Sequence, residues 1–575
     1  MISTDKTILA LAIPLALACN VEQAIQELID EHGITWDTSA ADSTGGIPTT
    51  DGGWSPTTSA AEAGGDGGSG PTSDASTSTG AQLDLPPALE FSVTPEDVQS
   101  AMFVDLAATC EDDVAVAEVR FSVDGVLLAT VAAPPFEAKW PVKSTDEDGP
   151  RTVRAECEDT VGHVVFDEKV IGVTLPESGS EAWSVLMPSK NWSTEALDAS
   201  AAPDGSWWVC GYDSDGAGEA SMWVAHFGPD GAILFNELIS RGPGFYGTCS
   251  GIEVFPDDPH RAALTGSWIK DGLSPLLWTG VVDETHESFV IAKNEDNYLG
   301  EVGNDVAVTV DHQVRITGYR LAGSNSILTY RAFTFSEGET HLAHFAADEY
   351  DSLAPGDLKL DAGEAIVALP DGSSLIAGRA VDPKLGLSRG IVALVGANHQ
   401  IVKDPGNGWP FMMTLTQPES EGYGDITVTP DGLVAVAGWW SQFDQARRPR
   451  LVHFDLTDPA NVDAYTQPAL GDDFVGQSLA RLSTGPVMVA ATRSDPVEKD
   501  DIWIEQYTAD GWNVNGEDEV WPKTFTGFFH GNDAPHAIRV NALDTFLVVG
   551  YETIQTVKDG QPVTIRQAWL RGFEG

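Results

Sequence analysis

From about Glu181 to Gly575 the chain repeats one pattern of apolar and polar positions. The clearest copy starts at Gly363 and reads GEAIVALPDGSSLIAGRA. An apolar run leads to Pro-Asp-Gly, then to a second apolar run closed by Gly378. A second clear copy starts at Gly424, GDITVTPDGLVAVAGWW, and closes on Gly438. Two short apolar runs around an Asp-Gly turn predict a β-hairpin. The closing residues are Gly211, Gly266, Gly318, Gly378, Gly438, Ala491 and Gly550, at intervals of about 52–60 residues. Four strands with their loops fill such a period, and strand-only repeats of this length predict a β-propeller or a solenoid.

The ends of the repeat choose between the two. Each copy runs on to a fourth strand, as at Ala232–Ile239, but the seventh stops at Ala568–Arg571, one strand short. A matching apolar stretch, Glu181–Met187, stands unused in front of the first copy. This predicts a ring closed by pairing the front strand into the last blade, which leaves no exposed sheet edge. The expected domain is a seven-bladed β-propeller over 181–575.

Ahead of the repeat, residues 85–176 alternate in short strands: Met102–Cys110, Val114–Val123, Val126–Val131, Phe136–Val142, Arg151–Cys157 and Val161–Val173. Asp124-Gly125 joins two of them as a hairpin turn. About ninety residues of this kind predict a β-sandwich, so the whole fold is expected to be all-β. From about Asp37 to Leu85 the composition turns to Ser, Thr, Gly, Asp, Ala and Pro. That is too few apolar groups to offset the entropy of ordering. Residues 19–84 are therefore expected to form a flexible linker, its Gly/Ser-like part reaching about 35–40 Å. Val21–His32 carries apolar residues at helical spacing, which predicts a short helix. At the amino end, Lys6 precedes an apolar run from Ile8 to Ala18. The run is too short to span a bilayer and has the length of a signal-peptide core, residues 1–18.

Charge narrows the partners. With 31 basic and 87 acidic residues the formal net charge is −56. Phosphate backbones are bound by Lys and Arg that displace counterions, so nucleic acid is excluded as a partner. The acidic surface reads as a solvated one. The five cysteines are Cys19, Cys110, Cys157, Cys210 and Cys249. An odd count in an exported chain leaves one over, and Cys19 stands at the cleavage point.

Three segments resemble known families. Ala16-Leu17-Ala18-Cys19 resembles a bacterial lipobox, although Ala16 stands where leucine is usual. The resemblance implies lipidation of Cys19; cleavage after Ala18 by ordinary signal peptidase would instead release a secreted protein. Asn20 follows, not the aspartate that retains lipoproteins at the inner membrane, so the resemblance implies the outer membrane or cell surface. VAEVRFSVDGVLLATVAAPPFEAKWPV with RTVRAECEDTVGHVVF resembles a bacterial immunoglobulin-like domain. It places Cys110 and Cys157 where a disulfide joins the two sheets. The loop so closed, of about fifty residues, is worth roughly 3–4 kcal/mol. Asp371-Gly372 with Gly378, Asp431-Gly432 with Gly438, and Asp204-Gly205 with Gly211 resemble the delta-sixty propeller repeat of bacterial exported proteins. The combination looks like a myxobacterial surface lipoprotein. Cys210 and Cys249 then fall in adjacent blades, and a second disulfide is expected there.

Catalytic signatures are missing: the sequence has no H-E-x-x-H, G-x-S-x-G, P-loop or C-x-x-C. His260, His312, His341, His344, His399, His453, His530 and His536 share no ligand spacing, and no metal is assigned. Asp213, Asp215 and Glu219 surround glycines in the manner of some calcium loops and are calcium candidates, more readily an acidic turn. No cofactor is otherwise expected. Trp439, Trp440, Arg447, Arg448 and Arg450 form a basic, aromatic cluster in what reads as a long loop. They are candidates for stacking on and pairing with an anionic or sugar ligand, or for stitching to acidic neighbours. The function expected from the sequence is a non-enzymatic surface lipoprotein. Its propeller would bind or scaffold an envelope protein or glycan, as a monomer that meets the membrane only through its lipid. The alternative is a propeller-type polysaccharide hydrolase or lyase with carboxylates converging on the central channel.

Overall fold

The computed structural model describes residues 85–575, except 188, 190–192, 216–218, 241–243, 271–272, 286–287, 292–299, 323–324, 336–341, 351–360, 383–386, 405–406, 413–418, 430, 443–444, 467–472, 496–498, 509–520, 526–531 and 559–560. The signal segment, Cys19, the short helix of 21–32 and the linker lie outside the described residues. Every described element is a strand, and none of the described residues forms a helix able to cross a membrane.

Residues 88–173 form two facing sheets. One holds Ala88–Thr94, Met102–Glu111 and Phe136–Val142; the other holds Asp97–Val98, Val164–Val173, Gly149–Asp159, Val116–Val123 and Val126–Val131. Alternate side chains meet between them: Phe91, Val104, Leu106, Phe121, Trp140 and Val153 are buried together. Asp124 and Gly125 both have positive φ, 47° and 81°. A two-residue hairpin of the primed type needs that pair of angles, and Asp-Gly supplies them at low cost. Cys110 and Cys157 form a disulfide between the two sheets, with Cα atoms 6.5 Å apart. The loop end of this sandwich docks on the repeat region. Ser144 donates to Leu543 O at 2.9 Å and to Asp544 O at 2.8 Å, and Lys143 Nζ bonds Ser483 Oγ at 2.7 Å.

The repeat folds into successive four-stranded antiparallel units, the first two joined into one eight-stranded sheet by a single parallel pair, Ala220 opposite Tyr246. Their inner strands are Ser193–Ala201, Phe245–Phe255, Glu301–Val308, Ala362–Ala368, Glu419–Val428, Asp473–Arg481 and Ala534–Val540. Each inner strand lies beside the next, and the last lies beside the first. The last unit contributes Ala534–Val540, Phe546–Lys558 and Gln561–Phe573. Its fourth strand is Glu181–Met187, with Leu570 opposite Val185 and Arg571 opposite Ser184.

The closing glycines have a specific cause. Every inner strand carries a β-bulge, and in the six units closed by glycine that glycine faces a backbone carbonyl of the bulge at close range. A Cβ on Gly378 would stand 2.1 Å from Ala362 O, and one on Gly211 would stand 1.9 Å from Glu195 O. Only glycine accepts that approach without a backbone shift. The register corrects the sequence alignment in the sixth unit. Gln477 pairs with Ala491 and Val475 with Thr492 across the bulge, so Thr492, not Ala491, occupies the closing position. The offset arises because the sixth hairpin has one more residue pair between its bulge and its turn, Gln477–Arg481 against Asp425–Val428 in the fifth, which sequence spacing does not reveal.

Candidate functional site

The bulges also place the polar groups of the central channel. The second residue of each bulge is Asp198, Gly251, Asp305, Ala365, Asp425, Gln477 or Ala537 in turn. Aspartate thus stands in the first, third and fifth units. Each of these carboxylates reaches the inner strand of the following unit and accepts a backbone N–H. Asp198 takes Ile252 N at 2.9 Å, Asp305 takes Ile366 N at 2.8 Å, and Asp425 takes Leu479 N at 3.1 Å. Asp425 also accepts the Ser478 hydroxyl at short range.

Arg539, two residues past the bulge of the seventh unit, ties this set together. Its guanidinium donates to Asp198 Oδ1 and to Asp425 Oδ2, both at 2.8 Å. One side chain therefore links three units. Burial works against its charge, but Asp425, Asp198, Asp305 and Glu253 outweigh it and hold the arginine ionised. The carboxylates outnumber it, and the excess shows in their acidity. Burial, with the charges of Asp198 and Asp425, pushes Glu253 up to about 7, against the opposing Ser200 hydrogen bond and Arg539. Burial raises Asp305 and Asp198 as well.

A second polar group lies nearer the start of the inner strands. That is the end opposite the turns on which the sandwich docks, so it belongs to the open face. Glu195 accepts from Arg566 at 2.7 Å and lies 3.8 Å from His536 Nε2. Tyr212 and Tyr246 stand with ring centroids 6.0 Å apart, and Arg566 covers the Tyr551 ring at 4.3 Å. Burial would raise the Glu195 carboxyl, yet His536 and Arg566 hold it below the ordinary range. Burial and the Glu195 charge raise the Tyr212 phenol. This mouth offers an imidazole, a guanidinium, a carboxylate and neutral phenols at one spot.

The residues singled out in sequence are placed as follows. Trp439 and Trp440 do not lie in a loop: their strand, Leu433–Gln442, pairs with Arg448–Asp455, and Trp440 is opposite Arg448. The hairpin simply continues past the closing glycine. Arg450 is buried against Glu421 at 3.3 Å, and Arg447 reaches Asp473 of the next unit at 3.6 Å. Arg447 stands over Trp439 at 5.6 Å and Arg448 over Trp440 at 5.4 Å. Trp440 Nε1 donates to Glu419 at 3.2 Å. Trp440 and Arg448 keep part of their surface open to solvent. Asp213 accepts from Ser189 Oγ at 2.5 Å, Asp215 from Glu219 N at 3.1 Å, and Glu219 from Gly244 N at 3.0 Å. Residues 216–218 between them lie outside the described set. Cys210 and Cys249 form a disulfide joining the first two units, with Cα atoms 5.7 Å apart. The two disulfides indicate an oxidising compartment.

Sequence spacing missed one cluster. His226, His260 and Glu284 bring ligand-type atoms within 4.8 Å of one another. They come from two units and share no motif.

A family profile described as a bacterial Ig domain matches residues 93–164, so the chain carries a segment of that kind. No curated protein sequence matches the chain. Three solved structures show what it is similar to. The polysaccharide lyase Uly1 is 9% identical, over 69% of this chain and 100% of that one, with a TM-score of 0.41. The β-propeller domain of the Trilobed protease from Pyrococcus furiosus is 10% identical, over 65% and 97%, with a TM-score of 0.35. Fibronectin(III)-like modules of CbhA from Clostridium thermocellum are 19% identical, over 16% and 100%, with a TM-score of 0.14.

Proposed function

We propose that this chain is an exported surface lipoprotein whose propeller serves as a rigid binding or scaffolding module. In this reading Cys19 is acylated after removal of residues 1–18, and residues 19–84 tether the folded part to the outer membrane. The Ig-like domain, 85–176, spaces a closed, seven-bladed, delta-sixty-type propeller, 181–575, away from the membrane. The open face of the ring then presents the mouth residues and the Trp440–Arg448 edge to an envelope glycan or protein. The observation that carries the non-enzymatic reading is the use made of the channel carboxylates. Asp198, Asp305 and Asp425 each hold a backbone amide of the next unit, and Arg539 clamps two of them. Groups so committed fix the ring and are poorly placed to move protons on a substrate.

The test is a glycan-array and envelope pull-down with the mature chain, comparing wild type with Trp440→Ala and Arg448→Ala. Selective capture lost in both variants supports the reading. Capture unchanged in both removes that edge as the site. Mass spectrometry of the mature amino terminus tests the anchor: an unmodified Cys19 rules it out.

A second reading, a polysaccharide hydrolase or lyase, is favoured by the mouth. His536, Glu195, Arg566 and Tyr246 place a proton carrier beside a cation that could hold a sugar carboxylate. Turnover of neutral or uronic polysaccharides that disappears in His536→Ala would establish it.

A further inference from the structure

The junction between the first two units carries a group of side chains that neither reading uses. His226, at the end of the strand Ala220–Phe227, is fully buried and stacked on Trp208, with centroids 4.6 Å apart and planes 8° off parallel. Its Nδ1 lies 2.7 Å from Glu284 Oε2. His260, from the second strand of the next unit, directs its own Nδ1 at the other oxygen of the same carboxylate. The side chain of His260 is half exposed at 49%, so solvent reaches the group from that side.

The hydrogen-bond inventory around His226 does not close by itself. Ser206 Oγ lies 2.5 Å from Asp204 Oδ1 and 2.7 Å from His226 Nε2. A hydroxyl has one proton. Asp204 can only accept, so Ser206 donates to it and must accept from His226 Nε2–H. A neutral imidazole then turns its Nδ1 lone pair toward Glu284, acceptor against acceptor. A further proton shared between Nδ1 and the Glu284 carboxylate removes the conflict, and so does a cation held between the two nitrogens and the carboxylate.

From this geometry we propose that His226 Nδ1, His260 Nδ1 and the Glu284 carboxylate form a binding site for a single zinc-class divalent cation. Two imidazoles and one carboxylate are ligands of the hardness such ions accept, and three protein ligands leave one position for water. Asp204 and Ser206 form the outer layer that fixes the tautomer and the ring, as histidine ligands require. Trp208, which also donates from Nε1 to Pro259 O at 2.8 Å, holds the ring from its face and the second unit from its edge. The cation so held cross-links the two units on the turn side of the ring. The disulfide Cys210–Cys249 joins the same two units at another point.

The experiment uses the full mature chain, stripped with chelator and titrated with Zn2+ by calorimetry, with Co2+ as a spectroscopic probe. His226 is left intact, because removing a fully buried ring could unfold the unit. His260→Ala and Glu284→Gln replace it, and His312→Ala serves as a surface control. The expected result is one equivalent bound by wild type and by His312→Ala, and at least tenfold weaker binding in His260→Ala and Glu284→Gln. The Co2+ form should show the intense visible bands of a four-coordinate ion in wild type and lose them in both variants. Binding without a fixed stoichiometry, or equal affinity in wild type and both variants, overturns the site: the acidic surface alone would then hold the ion.

Discussion

The junction between the first and second units and the junction that closes the ring, between the seventh and the first, are built from different materials. The first is stapled by a covalent bond, Cys210–Cys249. It adds Asp198 to Ile252 N, Ser200 to Glu253 at 2.9 Å, and His226 to Glu284. The closing junction has no cystine among the described residues. It relies on Arg539 to Asp198, Arg566 to Glu195, Asn541 to Gly205 O at 2.8 Å, and a strand borrowed from the front of the repeat. An apolar core shared by both units backs these bonds, with Trp207, Trp223, Leu547, Leu570 and Met187 buried together. Neighbours in sequence close a short loop and can be stapled cheaply. The closing pair is separated by the whole repeat, and a strand ladder with one part-buried arginine does the work instead.

The largest effect should come from breaking the closing side. Arg539→Ala leaves Asp198 and Asp425 facing each other's charge without a counter-ion. Removing one partner of a buried ion pair costs about 3–5 kcal/mol, and calorimetric unfolding should report that loss. Neutralising the acids as well, in Arg539→Met with Asp198→Asn and Asp425→Asn, should recover a large part of it. A triple variant as unstable as Arg539→Ala would mean the arginine acts by packing alone.

On the stapled side, Cys210→Ala with Cys249→Ala should cost about 4 kcal/mol in the chain-entropy picture, for a sequence separation of 39. If the closing junction is the weak point of unfolding, this variant should lower the equilibrium stability while leaving the unfolding rate nearly unchanged. A smaller loss, about 2 kcal/mol, is expected for Trp183→Ala. That ring lies against Gly231 and Gly572 and donates to Pro229 O at 2.8 Å, so it bolts the borrowed strand onto the first unit. Its signature is faster unfolding. The reverse pattern, fast unfolding on losing the disulfide and none on losing Trp183, would exchange the roles of the two junctions.

Much of this architecture is written in local chemistry. Asp-Gly turns with apolar runs on either side mark the hairpins, and the missing last strand points to Glu181–Met187. The bulge is where legibility ends. In the sixth unit it sits one residue pair further from the turn, which is why Thr492 and not Ala491 holds the closing position. The channel aspartates were within reach: once the copies are aligned, Asp198, Asp305 and Asp425 alternate with Gly251 and Ala365. The Trp439–Arg450 cluster is legible as chemistry but its place in a hairpin is not, because arginines and aromatics give no strand alternation there. His226, His260 and Glu284 carry no local signal at all. Two units must pack side by side before the three meet.

The smallest effect, and the most specific to the stapled side, is a pH dependence. Desolvation in the channel, with the charges of Asp198 and Asp425, pushes the part-buried Glu253 up to about 7, with Ser200 and Arg539 only partly offsetting this. Its ordinary value is 4.5. Between the two the folded state keeps a proton that the unfolded chain releases, so the associated stability is complete below about pH 4.5 and disappears as pH rises through 7. Asp305 and Asp198 push in the same direction. Glu195, Glu156 and Asp159, all held low, push the other way and lose their contribution in acid. Glu253→Gln removes one titration and keeps an oxygen for Ser200. Its melting temperature should match wild type near pH 4.5 and exceed it increasingly toward pH 8, by about 1–3 °C for a chain of this size. Parallel profiles across that range would mean that Glu253 is solvated in the channel, and that the first junction gains its strength from the disulfide and the Asp198 bond alone.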